Sequence, residues 1–413
     1  MVVVEFFSDT PIDNMISTLT GCPDKVILVG QSKIIKRSGQ NYKKFLASIG
    51  NDRTEIDYCS IIPHNLGNIV KALEKIVMEY SECHFDLTGG DELAMAAIGI
   101  IYERFGGKGI KLHQYNIKTG AVYDCDMDGR VFSSEIPSLT VEQNIILHGG
   151  SIVTDAQRSG STYSWNFTES FEEDVFAMWE ICRKNCALWN YQVTMLSEIM
   201  TFNSAADDEL QLCANMADVE VYLRTKGNSL NLDGIFDKLV EAGMLVGFGM
   251  DDEMLQFRFK DKQVKMCLTK AGTLLELVTL LSARRITKED GKPYFTDART
   301  GVMIDWDGIV HNNKDGNVDT ENEIDVILMK GVVPIFISCK NGKIPDDELY
   351  KLNTVAEQFG SGYAKKVLVA ADMGKKANSR KYFLERAKDM GIQIIENVHT
   401  MSPEKFENIL KKV

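Results

Sequence analysis

The stretch Asn322–Gly342 reads NEIDVILMKGVVPIFISCKNG, two apolar, largely β-branched and aliphatic runs broken at Lys330-Gly331, and this is the signature of a β-hairpin. With Lys330-Gly331 as a two-residue turn, Met329 faces Val332. Glu323 then falls opposite Ser338, and Asp325 opposite Phe336. Side chains two positions apart share a face, so Glu323, Asp325, Ser338 and Lys340 are expected to project together from one side. Cys339 is expected to point to the opposite, core-facing side, which removes it as a nucleophile. Pro334 lacks a ladder donor and marks where a bulge would shift the register by one residue.

Outward from the hairpin, AGTLLELVTLLSAR (271–284) has the length of a helix and GVMIDWDGIV (301–310) that of a strand, while DDELYKLNTVAEQFG (346–360) is helical and KKVLVAA (365–371) extended. The order αβββαβ predicts a mixed sheet flanked by helices over residues 266–413. Two carboxylates and a lysine on one face suit phosphodiester hydrolysis. Their oxygens hold a hard divalent metal, and the lysine orients or deprotonates water and offsets the repulsion of the acids. Such a site needs a further acid, and Glu276 is one polar position in a largely apolar stretch, which otherwise reads as a solvated face of that helix. Asp305 and Asp307, flanking Trp306, are strand-end carboxylates that read as turn caps or as additions to the acidic pocket. His311 and His399 have no evident partners in the sequence.

Residues 1–125 alternate apolar runs (VVVEFF, KVILVG, EIDYCSII, CHFDL) with helical patterns from Asp13, around Tyr42 to Ile49, from Asn65 to Tyr80 and from Glu92 to Phe105. This α/β order predicts a doubly wound, Rossmann-like parallel sheet, whose ligands gather at the carboxyl ends of the strands. Two strand-to-helix junctions stand out, Ser8-Asp9-Thr10-Pro11 and Thr88-Gly89-Gly90-Asp91. The glycine pair lets backbone amides approach an anion; Asp91 and Glu92 also suit simple capping of the helix that follows.

Residues 126–265 form an α+β connector. It holds a polar aromatic stretch, RSGSTYSWNFTES (158–170), expected as an exposed loop or hairpin, and then one helical run through FEEDVFAMWEICRKNCALWNY, which places Cys182 and Cys186 four apart on one helix. From 205 to 270 the pattern is helix, helix, hairpin, either a winged-helix-like segment or a plain α+β spacer.

At 413 residues, 44% hydrophobic and 25% charged, the chain is too long for one core and divides into two or three domains. The N-terminus reads as a first strand rather than a signal sequence, and no apolar run spans a membrane, so a cytoplasmic protein is expected. Its nine cysteines show no CxxC pair or zinc-ligand spacing, which points to reduced thiols. A net charge of −13 excludes passive, high-affinity wrapping of nucleic acid. A local metal can still supply positive charge where a phosphate sits.

The combination of Glu276, Glu323-x-Asp325 and Ser338-x-Lys340 resembles the PD-(D/E)xK restriction-endonuclease fold, with Ser338 where the second acid usually stands. IDWDG, NEIDV and FISCKNG together are similar to CRISPR-associated nucleases that join a CARF sensor domain to this nuclease fold, and LTGGDELAMAAIGI (87–100) is similar to the CARF signature. The resemblance covers nearly the whole chain. It implies Mn²⁺ or Mg²⁺ held by Asp325, Glu276 and the Cys339 carbonyl, with Lys340 catalytic. It also implies a cyclic oligoadenylate, cyclic tetra-adenylate foremost, bound by Ser8, Asp9, Thr10, Thr88, Gly89, Gly90 and Asp91. Asp91 and Glu92 depart from the small hydroxyl and lysine usual there. A symmetric ring ligand spanning two CARF domains implies a homodimer, and activation implies a closure or rotation carried through residues 126–270.

The expected function is therefore a ring-activated, metal-dependent endonuclease cutting single-stranded RNA or DNA, or nicking duplex DNA, in antiviral defence. A ligand-responsive nucleic-acid-binding regulator with an idle nuclease scaffold is the alternative; the segment ADDELQLCANMADVEVYL lacks the basic recognition helix it needs. A constitutive repair or restriction nuclease leaves the N-terminal domain without a task.

Overall fold

A computed structural model of the chain describes residues 1–125, 129–133, 137–203, 208–250, 253–311, 318–374 and 377–413. The N-terminal part interleaves β1 (Val2–Phe6), α1 (Ile16–Gly21), β2 (Lys25–Gly30), α2 (Ser32–Ser48), β3 (Glu55–Ser60), α3 (Leu66–Glu79), β4 (Cys83–Asp86), α4 (Glu92–Arg104) and β5 (Ile110–Asn116). Two antiparallel strands, β6 (Ala121–Asp124) and β7 (Val131–Ser133), complete a seven-stranded sheet of order β3-β2-β1-β4-β5-β6-β7. The first five strands are parallel, and the order reverses between β1 and β4, so their carboxyl ends form the crevice of a Rossmann-like sheet. Local sequence explains the helices. Asn65 caps α3 by accepting the Asn68 N–H, and Ile69, Val70, Leu73 and Ile76 form its buried stripe. α2 begins ten residues before Tyr42, where the sequence pattern suggested its start, because its lysine-rich first turns are exposed and only Ile35, Gly39, Tyr42, Phe45 and Leu46 are buried.

The middle of the chain comprises α5 (Val141–Leu147), β8 (Ser151–Ile152), α6 (Glu169–Cys182), α7 (Cys186–Phe202), β9 (Gln211–Asn215), α8 (Met216–Thr225), α9 (Phe236–Glu241), β10 (Leu245–Met250), β11 (Met254–Phe259) and α10 (Lys262–Thr269). The expected single helix through Cys182 and Cys186 is two: it breaks at Arg183 to Asn185, where Asn185 caps α7 by accepting the Leu188 N–H at 3.0 Å. The two thiols stay in contact across the break, and all nine cysteines are free. The first helix expected in 205–270 is a strand followed by a helix, with residues 204–207 outside the described set; alternating burial of Gln211–Asn215 against β11 made the strand. The order α7, β9, α8, α9, β10, β11 with a three-stranded antiparallel sheet is that of a winged helix.

The C-terminal part runs α11 (Thr273–Arg285), β12 (Asp297–Asp305), β13 (Glu321–Lys330), β14 (Val333–Lys340), α12 (Glu348–Gly360), β15 (Lys365–Ala370), α13 (Ala377–Asp389), β16 (Ile392–Ile395) and α14 (Pro403–Leu410). It contains the αβββαβ order read from sequence, in a six-stranded sheet β16-β15-β14-β13-β12-β8 whose last strand comes from residues 151–152. α11 is buried on all sides from Thr273 to Ala283, which identifies it as a core helix between this sheet and the winged-helix segment. On the other face, α5 and α12 share one core with α2 and the underside of the N-terminal sheet, so the two sheets are joined by common packing. Among the described residues no single helix is long and apolar enough to cross a membrane; the apolar pair α10 and α11 bends by 118° into the core.

The hairpin register differs from expectation. The turn is Gly331-Val332, with Gly331 at φ +66°, and the closing pair is Lys330 with Val333. Every pairing moves by two, so that Phe336 faces Ile327 rather than Asp325, and Pro334 pairs with Met329 without a bulge. A shift of two preserves parity. The expectation that all four polar residues share a face fails for another reason: the alternation inverts at Gly301 and Asp325. Ala298, Val326 and Leu328 pack with α11, whereas Val302, Ile304 and Ile324, also even-numbered, pack in the opposite core. Gly301, at φ +58°, and Asp325 drop out of an otherwise continuous β12–β13 ladder there. Glu323 is thereby carried to the α11 side, while Ser338 and Lys340 lie toward α12.

Candidate active site and sensor crevice

The inversion places Asp325 at a fork. The β13–β14 ladder ends at Val326 and Ile337. Beyond it the Asp325 carboxylate replaces a strand carbonyl: Oδ2 accepts the Cys339 N–H at 2.6 Å and lies 3.2 Å from Lys340 Nζ. Ser338 Oγ sits 3.1 Å from Asp325 Oδ2 and 2.7 Å from Glu348 Oε1, its one proton bridging two carboxylates. Glu348, in the first turn of α12, also lies 3.2 Å from Lys340 Nζ. It stands beside the position where Ser338 replaces an acid. Sequence reading missed it because Asp346-Asp347-Glu348 looks like ordinary acidic decoration of a helix N-terminus.

On the other side of the fork a cleft of about 410 Å³ is walled by Lys270, Glu276, Glu323, Asp325, Lys340 and Lys343, with Asn190 of α7, Cys339 and Asn341. Of the proposed catalytic set, Glu276, Glu323, Asp325 and Lys340 meet here; Ser338 lies behind the cleft, toward α12. Cys339 points its thiol to Thr279 of α11, as expected of a core side chain. Lys270, another residue not singled out in the sequence, pairs with Glu323 at 3.0 Å. Burial pushes Glu276 up to about 8, with Asp325 and Glu323 adding to the rise. For Lys340, burial pulls downward but Asp325 and Glu348 outweigh it, and the net direction is up. In this state Glu276 holds a proton and Lys340 a charge.

Asp305 and Asp307 do not add to the cleft: both accept the Ile309 N–H, at 3.0 and 2.9 Å, as turn caps. His311 and His399 do have partners. His311 Nδ1 is 2.6 Å from Asp319, which also holds Arg158, and His399 Nδ1 meets the Ala371 carbonyl. The sequence separations of eight and 28 residues hid both.

Whether the cleft suits a divalent metal can be judged from its donors. Among the described residues no three His, Cys, Asp or Glu side chains cluster closely enough to enclose an ion. Two carboxylates and a backbone carbonyl are nevertheless the oxygen set a hard cation takes when it retains several waters. The cleft pairs three lysines with three acids. A divalent ion would leave it positive, the sign a phosphodiester requires, in a chain of net charge −13.

At the N-terminal crevice, Ser8, Asp9 and Thr10 follow β1, and Thr88 to Asp91 follow β4. The loops touch: a Cβ built on Gly89 would come 3.3 Å from that of Ser8 and 2.4 Å from the Phe6 carbonyl oxygen. The hydroxyls are engaged locally, Ser8 Oγ accepting the Thr10 N–H at 3.2 Å and Thr88 Oγ1 the Tyr115 N–H at 2.8 Å. Asp91 caps α4 through the Ala94 N–H at 2.9 Å; Asp9 is exposed. Beneath them, Glu5 and Asp86 face each other on paired strands, both fully buried. Burial drives both upward, and each lies against the other, so the pair retains a proton. Sequence reading passed over these two as interior strand positions.

Asp13 ties this crevice to the C-terminal part. Its Oδ1 accepts the Tyr363 hydroxyl at 2.8 Å and its Oδ2 the Ser8 hydroxyl at 3.3 Å. Burial, helped by Asp86, pushes Asp13 up to about 6 against the pull of those two hydroxyls. The folded value exceeds the ordinary 3.9 or so, so the native state binds the proton more tightly, and this contribution to stability is present at acid pH and lost as pH rises through about 6. Asp13→Asn is expected to raise stability by about 1 kcal/mol at pH 7.5, and to remove the decline between pH 4 and 6 in urea midpoints.

Two solved structures share this architecture. Protein VC1899 from Vibrio cholerae aligns with a TM-score of 0.74 and 15% identity, over 100% of this chain and 97% of its own. Can2 from Sulfobacillus thermosulfidooxidans, determined in complex with cyclic tetra-adenylate, aligns at 0.65 and 16%, over 100% and 98%. The chain has their fold from end to end. No protein-family model matches the sequence, and no curated protein does.

Proposed function

We propose that this protein is a metal-dependent nuclease, activated by a cyclic oligoadenylate in CRISPR type III antiviral defence, with cyclic tetra-adenylate the foremost activator. The observation that carries the reading is the convergence of Glu276, Asp325 and Lys340 from α11, β13 and β14 into one cleft with balanced charge. The whole-chain fold shared with Can2, a protein solved with cyclic tetra-adenylate, supports the sensor half. In this reading residues 1–125 sense the ring, 126–265 connect, and 266–413 cut, in a cytoplasmic homodimer whose twofold axis matches the ring.

Mn²⁺ or Mg²⁺ would be held by Asp325, Glu276 and the Cys339 carbonyl, and would activate water and stabilise charge on the phosphate. The chain's own residues do the rest. Asp325 and Glu348 fix the Lys340 ammonium, which neutralises and orients the phosphate or its attacking water. Glu323 keeps Lys270 over the cleft, and Asn190, bonded to Asn341, links the connector to the end of β14. The regulator alternative finds little support: α9, in the place of a recognition helix, has six residues and carries Asp237 and Glu241 beside Lys238.

Labelled single-stranded RNA, single-stranded DNA and plasmid, incubated with Mn²⁺ and with or without cyclic tetra-adenylate, test the reading. Ring-dependent acceleration of about 5- to 150-fold is expected, the range of ordinary allosteric coupling. Equal rates with and without the ring would remove the sensor role, and no cleavage of any substrate would remove the nuclease.

A further inference from the structure

The aromatic stretch 158–170 has no part in the chemistry described so far. It folds back across β12: the Thr162 carbonyl accepts the Asp155 N–H at 2.9 Å, and its hydroxyl accepts the Met303 N–H at 2.8 Å. Together with α11 and β12 it encloses a groove of about 690 Å³, within the span of pockets that hold a nucleotide-sized ligand. Tyr163, Trp165 and Phe167 form one wall, half-buried. Tyr163 meets Trp165 edge-on at 4.9 Å, and Trp165 is fixed from behind by stacking on Phe171 at 5.6 Å. Two arginines line the groove. Arg284 lies 4.2 Å over Phe167, and Arg299 pairs with Glu142 at 3.0 Å in a partly exposed contact that a phosphate can displace.

The wall of this groove touches two residues of the neighbouring cleft. Thr300 lines it, donates to the Asp325 carbonyl at 2.8 Å and lies 3.4 Å from Glu276 Oε2. Rigid aromatic rings beside arginines, in a groove whose Thr300 touches Glu276 of the neighbouring cleft, have the chemistry of a single-strand platform, because every base offers a π face and the arginines hold the backbone.

We propose that the groove between residues 158–170 and β12 binds an unpaired nucleobase of the substrate strand next to the scissile phosphate. This rests on the nuclease reading and adds to it a selection for single strands: a base held in a stack cannot reach these rings. The source of the base, RNA or DNA, is left to the test.

The experiment uses the full chain with cyclic tetra-adenylate and EDTA, so that binding is read without cleavage. The probes are fluorescein-labelled 12-mers of uridine and of thymidine, each also made with one 5-iodo base for photo-crosslinking. Crosslinks are expected on Tyr163, Trp165 or Phe167, and Trp165→Ala and Arg299→Gln should each weaken binding about 5- to 100-fold, as loss of one stacked base or its backbone contact does. Arg299 is partly exposed, so the glutamine variant keeps the fold if Trp165→Ala does not. Crosslinks mapping elsewhere, or single-strand binding by Arg299→Gln equal to wild type, would overturn the groove. If wild type cleaves with Mn²⁺ and the ring while these outcomes hold, the groove fails and the nuclease stands; if wild type never cleaves, the nuclease reading fails on its own.

Discussion

Lys340→Ala is expected to lower ring-stimulated cleavage by about 10²–10⁴-fold while Mn²⁺ binding persists or tightens. The Lys340 ammonium sits 3.2 Å from both Asp325 and Glu348, and the net upward direction of its titration keeps it charged. In the metal-free protein it therefore competes for the Asp325 carboxylate that a cation would need. Removing it frees Asp325 for the metal and deprives the phosphate of its fixed cation. Calorimetric titration with Mn²⁺ separates the two effects: activity lost with binding intact is the expected pair, and activity retained in a pure preparation would sink the assignment. The same titration carries a pH signature. Glu276, raised to about 8, must release a proton when a metal binds. Affinity should rise with pH by up to about tenfold per unit below 8 and level off above it. Glu276→Gln should abolish that slope.

Much of this fold was legible because its segments obey one period each. The parallel strands at the centre of the N-terminal sheet read as continuous apolar runs, since both faces are covered, and the hairpin at 322–342 reads as two apolar runs broken at a glycine turn. What escaped had tertiary causes. The helix break at Arg183 to Asn185 depends on a cap, and polar residues alone did not announce it. β9 was read as helix because five residues of alternating burial lie within a longer stretch of good helix formers. The site was legible in part, for Glu276, Asp325 and Lys340 meet as their chemistry suggested. The inversion at Gly301 was not, because a single left-handed glycine reorders faces without changing any pattern of apolar residues. Glu348 and Lys270 were invisible for a simpler reason: each reaches the site from a segment whose own charge pattern looks like ordinary surface.

Gly89→Ala is expected to destabilise the N-terminal part by about 2–4 kcal/mol with no ligand present. A methyl at this position would lie 2.4 Å from the Phe6 carbonyl oxygen, a backbone atom of the central strand that cannot step aside. Gly90→Ala should cost about as much, since Gly90 holds φ +91° and its added Cβ would come 2.8 Å from that of Phe6. Asp91→Ala, which only removes a cap, should cost about 1 kcal/mol. Differential scanning calorimetry of the three variants without cyclic tetra-adenylate tests the order. From sequence the glycine pair reads as room for a phosphate, yet the structure already fills that room with β1. If Gly89→Ala melts like wild type and loses only ring binding, the close contact with Phe6 is not what requires the glycine, and the pair serves the ligand. If it melts early, the glycines bring the Ser8 and Thr88 loops into contact, and any role in binding the ring follows from that packing.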